Sequence, residues 1–217
     1  MSNVHILSKK PDIAGYYDDL AQKHGSGYKS ADAGSQESLN ARYKVLSEVA
    51  DLNDKTVLEV GCGTGNLGNY LIKKYPKIKY TGIDISNKCI EVGKKEYPDL
   101  NLIHADLCDY QPLGPLTGKP KQYDIILSQG LFYKLPVTKE GVNKVFELIT
   151  HMVRLSKGTI AFTGVSTHPF GDSKTELRLE PHAILEFVTK FSPFITMKMH
   201  YWPGDVCFTV YREKQGD

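Results

Sequence analysis

An α/β sandwich, built on a mostly parallel sheet whose last strand is antiparallel, is predicted by three features of this sequence. Short apolar or β-rich runs alternate with helical segments, the pattern of parallel strands joined by helical crossovers. One run breaks into a glycine-rich turn, VLEVGCGTGNLG over Val57–Gly68, the form of a strand that delivers a ligand-binding loop. Near the C-terminus, Pro203-Gly204-Asp205 separates two strand-like runs by a hairpin-length connection, which reverses the second.

The 217 residues suffice for one domain with a full core and are short for two. Residues 1–217 are therefore expected to form a single domain, with an N-terminal helical segment over 1–50 and a binding core over 51–217. In the first segment, PDIAGYYDDLAQKHG carries Ile13, Tyr16, Tyr17 and Leu20 at near-helical spacing. The polar stretch GSGYKSADAGSQES follows, then a helix over Leu39–Ala50. Two readings are open for this segment: a packing helix with a surface loop, or a lid that closes over a ligand and excludes water.

Strands are predicted at Thr56–Val60, Tyr80–Asp84, Leu100–His104, Asp124–Ser128 and Thr159–Thr163. Helices fall between them at Asn66–Tyr75, Asn87–Glu96 and Lys139–Arg154. Pro76 and Pro98 follow two of these as stop signals, and Ser86 stands where an N-cap belongs. Leu113–Gln122, with two prolines and two glycines, reads as a loop crossing where a full helix would otherwise stand. The chain then reads as a helix over His182–Phe191, a strand over Phe194–His200, a turn, and a strand over Val206–Arg212.

A formal net charge of +2 is too balanced to predict a nucleic-acid partner, and Lys alternates with Glu or Asp along the helices. The Lys73-Lys74 cluster, with Lys77 and Lys79, reads as a solvated cap favoured by the helix dipole. The four cysteines (Cys62, Cys89, Cys108 and Cys207) form no CxxC pair, and the seven histidines no HExxH motif, so no metal site is predicted. MSNVHILSKKPD lacks the apolar core of a signal peptide, and no run is long enough to span a bilayer. A cytoplasmic, reducing setting without membrane attachment is the expectation.

Strands of such a sheet deliver ligands at their carboxyl ends, so Gly61, Asp84, Asp106 and Ser128–Gly130 should converge on one crevice. Gly63-Thr-Gly65-Asn-Leu-Gly68 satisfies GxGxxG, and Asp84 follows about 20 residues on, as a dinucleotide site requires. The acids point elsewhere. Glu59, just before the turn, would repel a pyrophosphate, whereas it suits a cationic amine or the loop amides. Asp106 ends the third strand, where it can meet the exocyclic amine of a flat base. A ligand with amino-acid, ribose and adenine parts fits this row better than one with two phosphates.

Here the sequence resembles the class I S-adenosylmethionine-dependent methyltransferases of the small-molecule type. Their glycine motif is matched by Glu59-Val60-Gly61-Cys62-Gly63-Thr64-Gly65, their ribose acid by Asp84 in GIDIS, and their adenine-side acid by Asp106 in HAD. YDIILSQGLFYKLP (Tyr123–Pro136) and LSKGTIAFTG (Leu155–Gly164) match the fourth and fifth strand regions. The resemblance implies a Rossmann-like three-layer sandwich with a seven-stranded sheet, and S-adenosyl-L-methionine as cofactor with S-adenosyl-L-homocysteine as product. The cofactor residues it implies are Glu59, Gly61, Cys62, Gly63, Gly65, Asp84, Ile85, Asp106, Leu107, Ser128 and Gln129. Each keeps a plainer reading: glycines for a tight turn, Asp84 as a helix-start acid, Asp106 in an Asx turn, Glu59 as a brace for the loop.

Methyl transfer by in-line displacement to an O or N atom of a small molecule is the implied activity. An Asn/Asp-Pro-Pro-aromatic motif is absent at Ser128-Gln129-Gly130, which lowers the odds of DNA adenine or protein amide methylation. Alternatives are a protein- or RNA-modifying methyltransferase, a non-catalytic adenosyl-ligand-binding protein and, more remotely, an NAD-dependent dehydrogenase. Candidate catalytic residues are His168, His200 and Tyr17, the histidines because they titrate near neutrality. Tyr16, Tyr133, Arg178 and Tyr201 are the candidate substrate contacts, with Arg178 either clamping an anion or pairing with Glu176 or Glu180 at the surface. Leu131, Phe132 and Tyr133 are either a substrate wall or loop packing. Acceptor identity and oligomeric state are left open by the sequence.

Overall fold

The computed structural model describes residues 12–113 and 121–213. Its strands are β1 (Thr56–Val60), β2 (Lys79–Asp84), β3 (Leu102–His104), β4 (Tyr123–Gln129), β5 (Ser156–Val165), β6 (Phe194–Lys198) and β7 (Asp205–Tyr211). Its helices are α1 (Ile13–His24), α2 (Gln36–Ser47), α3 (Asn66–Lys74), α4 (Asn87–Glu96), α5 (Lys139–Leu155) and α6 (Pro181–Val188). The strands form one sheet in the order β3-β2-β1-β4-β5-β7-β6. Only β7 is reversed, running antiparallel to both β5 and β6. It is the strand after the Pro203-Gly204 turn, as the hairpin-length break predicts.

Alternate residues of each strand enter different layers. Leu58, Ile126, Ile160 and Phe208 face α5 and α6, where Ile149, Met152 and Val188 are fully buried. Val57, Ile125, Leu127, Ala161 and Cys207 face α2, α3 and α4. Burial on both faces is why the central strands read as continuous apolar runs. Phe162 anchors the first layer, stacked on Phe208 at 5.5 Å and edge-on to Phe132 at 5.7 Å.

The helix starts follow from local chemistry. Ser86 caps α4 by accepting from Cys89 N at 2.9 Å, Thr138 caps α5, and Glu180 caps α6 with Pro181 in its first turn. Ser35 and Ser38 make a reciprocal capping box, so α2 begins earlier than its apolar periodicity indicates and ends at Ser47. Strand β3 begins two residues later than expected, because Leu100 N closes the turn after α4 on Tyr97 O at 3.0 Å. Strand β5 is longer, since its ladder with β7 extends to Val165 opposite Asp205.

Residues 114–120 of the predicted loop crossing, and residues 1–11 with the signal-peptide reading, lie outside the described residues. Among the described residues no helix is long and apolar enough to cross a membrane.

Candidate functional site

The carboxyl ends of β1, β2 and β4, with the segment after β3, open onto one pocket. Gly61, Gly63 and Gly65 all have positive φ (71°, 53° and 83°), a conformation that an L side chain resists. The loop is pinned to the next strand: Gly61 N and Cys62 N both donate to Ile83 O, at 2.9 and 3.0 Å. Gly63 N donates to Asp84 Oδ2 at 2.7 Å. Asp84 Oδ1 accepts from Ser86 N at 2.8 Å, so one carboxylate ties the glycine loop to the start of α4. Burial raises the Asp84 carboxyl, and the two amide donors oppose that shift.

Glu59 is 2% exposed and faces α3. Tyr80 OH donates to its Oε2 at 2.5 Å, and the backbone of Gly68 in the first turn of α3 donates to it as well. Desolvation pushes its pKa up to about 8, against the pull of these donors. The bracing reading of Glu59 is thus visible in the geometry, and the residue also lines the pocket.

Of the residues named from sequence, Glu59, Gly61, Cys62, Gly63, Asp84, Ile85, Asp106, Leu107, Gln129 and Tyr17 line the pocket together. Asp106 keeps both of its readings: its Oδ1 accepts from Cys108 N at 2.8 Å in an Asx turn, and it faces the pocket. Two named residues sit beside the pocket for structural reasons. Ser128 is fully buried and donates its Oγ to Val60 O at 2.9 Å, which fastens β4 to β1. Gly65 starts α3 in the left-handed conformation, and a Cβ there would press on Leu100 and Leu102.

The substrate-side residues divide further. His168, on the connection after β5, and His200, just beyond the edge strand β6, are both exposed and away from the pocket lining. Neither lines the pocket, which opens at the ends of β1, β2 and β4, whereas His168 follows β5 and His200 follows the edge strand β6. Arg178 lines a second cavity against α5 and α6, and its Nη1 donates to the carbonyls of Phe170 (3.4 Å) and Gly171 (2.9 Å). It therefore neither reaches the first pocket nor pairs with Glu176 or Glu180. Tyr16 is 38% exposed and donates to Asp32 at 3.1 Å, outside the lining. Tyr133 is buried, and its hydroxyl and that of Tyr201 lack partners. Tyr17 is held with its phenol pushed up by burial and by the Asp32 carboxylate, the wrong direction for a base.

Several lining residues were not named as site residues from the sequence, although Ile13, Ser30 and Ala31 fall in the segment read as a packing helix with a loop or as a lid. Ile13 of α1, Ser30 and Ala31 of the polar stretch, Tyr43 of α2, and Lys144 and Leu148 of α5 all face the pocket. Asp18 of α1 accepts from Ser86 Oγ and, at 3.0 Å, from Lys88 N, which clamps α1 onto the start of α4. The signal that existed was the tyrosine pair Tyr16-Tyr17, which marked the right helix. Cys108, Glu147 and His151 also come together, their ligand atoms within 4.8 Å of one another. Lys144 Nζ already sits there, 2.8 Å from Glu147 and 3.3 Å from Cys108, and its charge opposes a second cation.

The lining suits a ligand rich in hydroxyl donors and poor in phosphate. Asp84 and Asp106 each retain lone pairs beyond the amides they accept from, and Ile85, Ala105, Leu107 and Leu131 supply flat apolar surface. The carboxylates of Asp84 and Asp106 would repel a pyrophosphate, whereas Glu59, its carboxyl pushed up to about 8, does not add to that charge at neutral pH.

Residues 58–154 match the family model described as a methyltransferase domain. The chain is 30% identical over 139 residues to a malonyl-[acyl-carrier protein] O-methyltransferase of Ilyobacter polytropus, covering 62% of this chain and 47% of that protein. It is 29% identical over 121 residues to a trans-aconitate 2-methyltransferase of Escherichia coli, covering 56% and 42%. The chain thus spans about half the length of the curated relatives it matches. In fold it is similar to magnesium protoporphyrin IX methyltransferase of Synechocystis PCC 6803, solved with bound S-adenosylhomocysteine: TM-score 0.68, 16% identity, 93% of this chain and 98% of that one. N-methyltransferase NodS of Bradyrhizobium japonicum gives a TM-score of 0.65 at 12% identity, over 93% and 98%. The family match falls on the strands and loops that build the pocket, and the fold of the chain is that of the S-adenosylmethionine-dependent methyltransferases to which it is similar.

Proposed function

We propose that this protein transfers the methyl group of S-adenosylmethionine to a nucleophilic oxygen or nitrogen of a small molecule, with oxygen favoured by the O-methyltransferases among its relatives. The observation that carries the reading is the convergence of an open glycine loop with Asp84 and Asp106 on one pocket. In this reading Asp84 accepts from the ribose hydroxyls, and Asp106 meets the adenine amine. Ile85 and Leu107 flank the base plane, and the amides of Gly61–Gly63 surround the amino-acid part. Glu59, protonated through most of the neutral range, braces Tyr80 and α3 beneath that part.

Bound S-adenosylmethionine supplies an electrophilic methyl on a sulfonium. The chain's own contribution is alignment and the exclusion of water. Helix α1, clamped through Asp18 and entered by Tyr17, serves as the lid over this pocket, and residues 1–217 act as one catalytic domain. Four free cysteines suit the reducing cytoplasm, which we propose as its location.

Calorimetry with S-adenosylhomocysteine, S-adenosylmethionine and NAD tests the assignment. Both adenosyl ligands should bind and NAD should not. Asp84→Ala should weaken S-adenosylhomocysteine roughly ten- to hundredfold, the worth of charge-assisted hydrogen bonds. NAD binding without adenosyl binding would overturn the reading.

A further inference from the structure

Among the described residues, Gln129 Nε2, Tyr133 OH, Thr163 Oγ1 and Tyr201 OH are buried polar atoms without a hydrogen-bond partner. They gather around one ion pair. Gln129, Thr163 and Cys207 are register partners across β4, β5 and β7, so their side chains share a face of the sheet. Asp205, two residues before Cys207, points to the same face. There Arg42 of α2 closes a fork on it, Nε to Oδ2 at 2.6 Å and Nη2 to Oδ1 at 3.1 Å. The guanidinium lies 5.6 Å from the Tyr133 ring centroid, and Tyr201 senses Asp205, Cys207, Tyr133 and Arg42 together. Gln129 is shared with the cofactor pocket, and Tyr17 is electrostatically coupled to both Tyr133 and Asp84, so cluster and pocket adjoin.

Buried hydroxyls and amides without partners destabilise a fold, and several at one place mark where a ligand completes the bonds. The chemistry offered leans to donation, although each hydroxyl can also accept. Gln129 Nε2 can only donate, the three hydroxyls can each donate, and Arg42 keeps Nη1 outside its fork with Asp205. Carboxylates near the cluster are committed elsewhere: Asp205 to Arg42, Asp32 to Lys134 at 2.9 Å, Glu59 to Tyr80. Glu176 lines the second cavity, and among the described residues no histidine lines the pocket. A nucleophile that had to lose a proton here would find no base. A carboxylate, ionised at neutral pH and able to accept several hydrogen bonds, needs none.

We propose that Gln129, Tyr133, Thr163 and Tyr201, organised by the Arg42–Asp205 pair, form the acceptor subsite and that the methyl acceptor is a small carboxylic acid. The proposal rests on the methyltransferase reading above. One carboxylate oxygen bonds to the methyl carbon as the carbon–sulfur bond breaks. The electron pair stays on sulfur, the products are a methyl ester and a thioether, and no proton moves. The second oxygen takes the tyrosine and amide donors.

The test combines stability, cofactor affinity and product chemistry on the full chain and its Tyr133→Phe and Tyr201→Phe variants. Each variant should bind S-adenosylhomocysteine as wild type does. Each should melt at the same or a higher temperature, because an unpartnered buried hydroxyl is removed. Methyl-labelled S-adenosylmethionine is then offered with benzoate, cinnamate and malonate, with their primary amides, and with the low-molecular-weight fraction of a cell extract. Label should be recovered as volatile methanol after alkali, the signature of an ester, and should fall at least tenfold in both variants. A lowered melting temperature in the variants, alkali-stable label, or transfer untouched by the substitutions overturns the proposal. So does the absence of label in a protein that binds S-adenosylhomocysteine. Loss of S-adenosylhomocysteine binding by the wild type would instead overturn the methyltransferase reading beneath it.

Discussion

Replacing Glu59 by glutamine should change how the stability of this protein depends on pH. Glu59 is buried between Tyr80 and the first turn of α3, with its pKa raised from 4.5 to about 8. Between those values the folded state binds a proton that the unfolded state has released, so stability falls as pH rises through the window. The slope is about 1.4 kcal/mol per pH unit, or about 3 kcal/mol lost by pH 7 relative to pH 4. The loss is complete above about pH 8, where both states are ionised. Glu59→Gln keeps the shape and removes the titration. Urea unfolding of both proteins at half-unit steps from pH 4.5 to 9, at fixed ionic strength, gives the difference directly. The glutamine variant should gain on wild type by about 1.4 kcal/mol per unit up to pH 8, then hold a constant lead. Tyr80→Phe, which removes a donor that favours the carboxylate, should extend the wild-type decline to higher pH. Parallel curves for wild type and Glu59→Gln would refute the claim that this carboxyl is folded as the neutral acid.

Other substitutions separate packing from binding. Gly68→Ala would bring a Cβ to 2.5 Å from Tyr80 Cζ, an overpacking that should cost about 1–3 kcal/mol and lower the melting temperature by several degrees. Ser128→Ala removes the donor to Val60 O inside the sheet; it should cost about 1 kcal/mol in urea unfolding while leaving S-adenosylhomocysteine affinity unchanged. Asp124, held by Thr56 and Lys157, has its pKa lowered from 3.8 to about 2, so its stabilisation is present above pH 4 and lost as pH falls toward 2. Asp124→Asn should remove about 2 kcal/mol at neutral pH and flatten that acid limb, measured by unfolding between pH 2 and 5.

The sequence alone determined the features whose causes are local. Glycines at Gly61, Gly63 and Gly65 announce a turn of positive φ, because only glycine adopts that conformation freely. Ser86 could be read as a cap, and β1 and α4 have the boundaries predicted from periodicity and stop signals. Asp84 and Asp106 could be placed on the pocket because the carboxyl end of a parallel strand has only one place to point.

The tertiary structure alone decided what depends on partners far apart in the chain. Arg42 and Asp205 are 163 residues apart, and nothing near either names the other. Ser128 and Gln129 are adjacent, yet the pleat sends one hydroxyl to Val60 and the other side chain to the pocket. His168, His200 and Arg178 have the residue types that acid–base and anion chemistry use, but residue type carries no position, and none of the three lines the pocket. The loop and its acids were legible because backbone conformation is written in neighbouring residues. On the proposed acceptor side, Tyr133 and Tyr201 were legible as residue types, but their meeting with Thr163 of β5 and the Arg42–Asp205 pair of α2 and β7 was not, because it is assembled only after the sheet has closed.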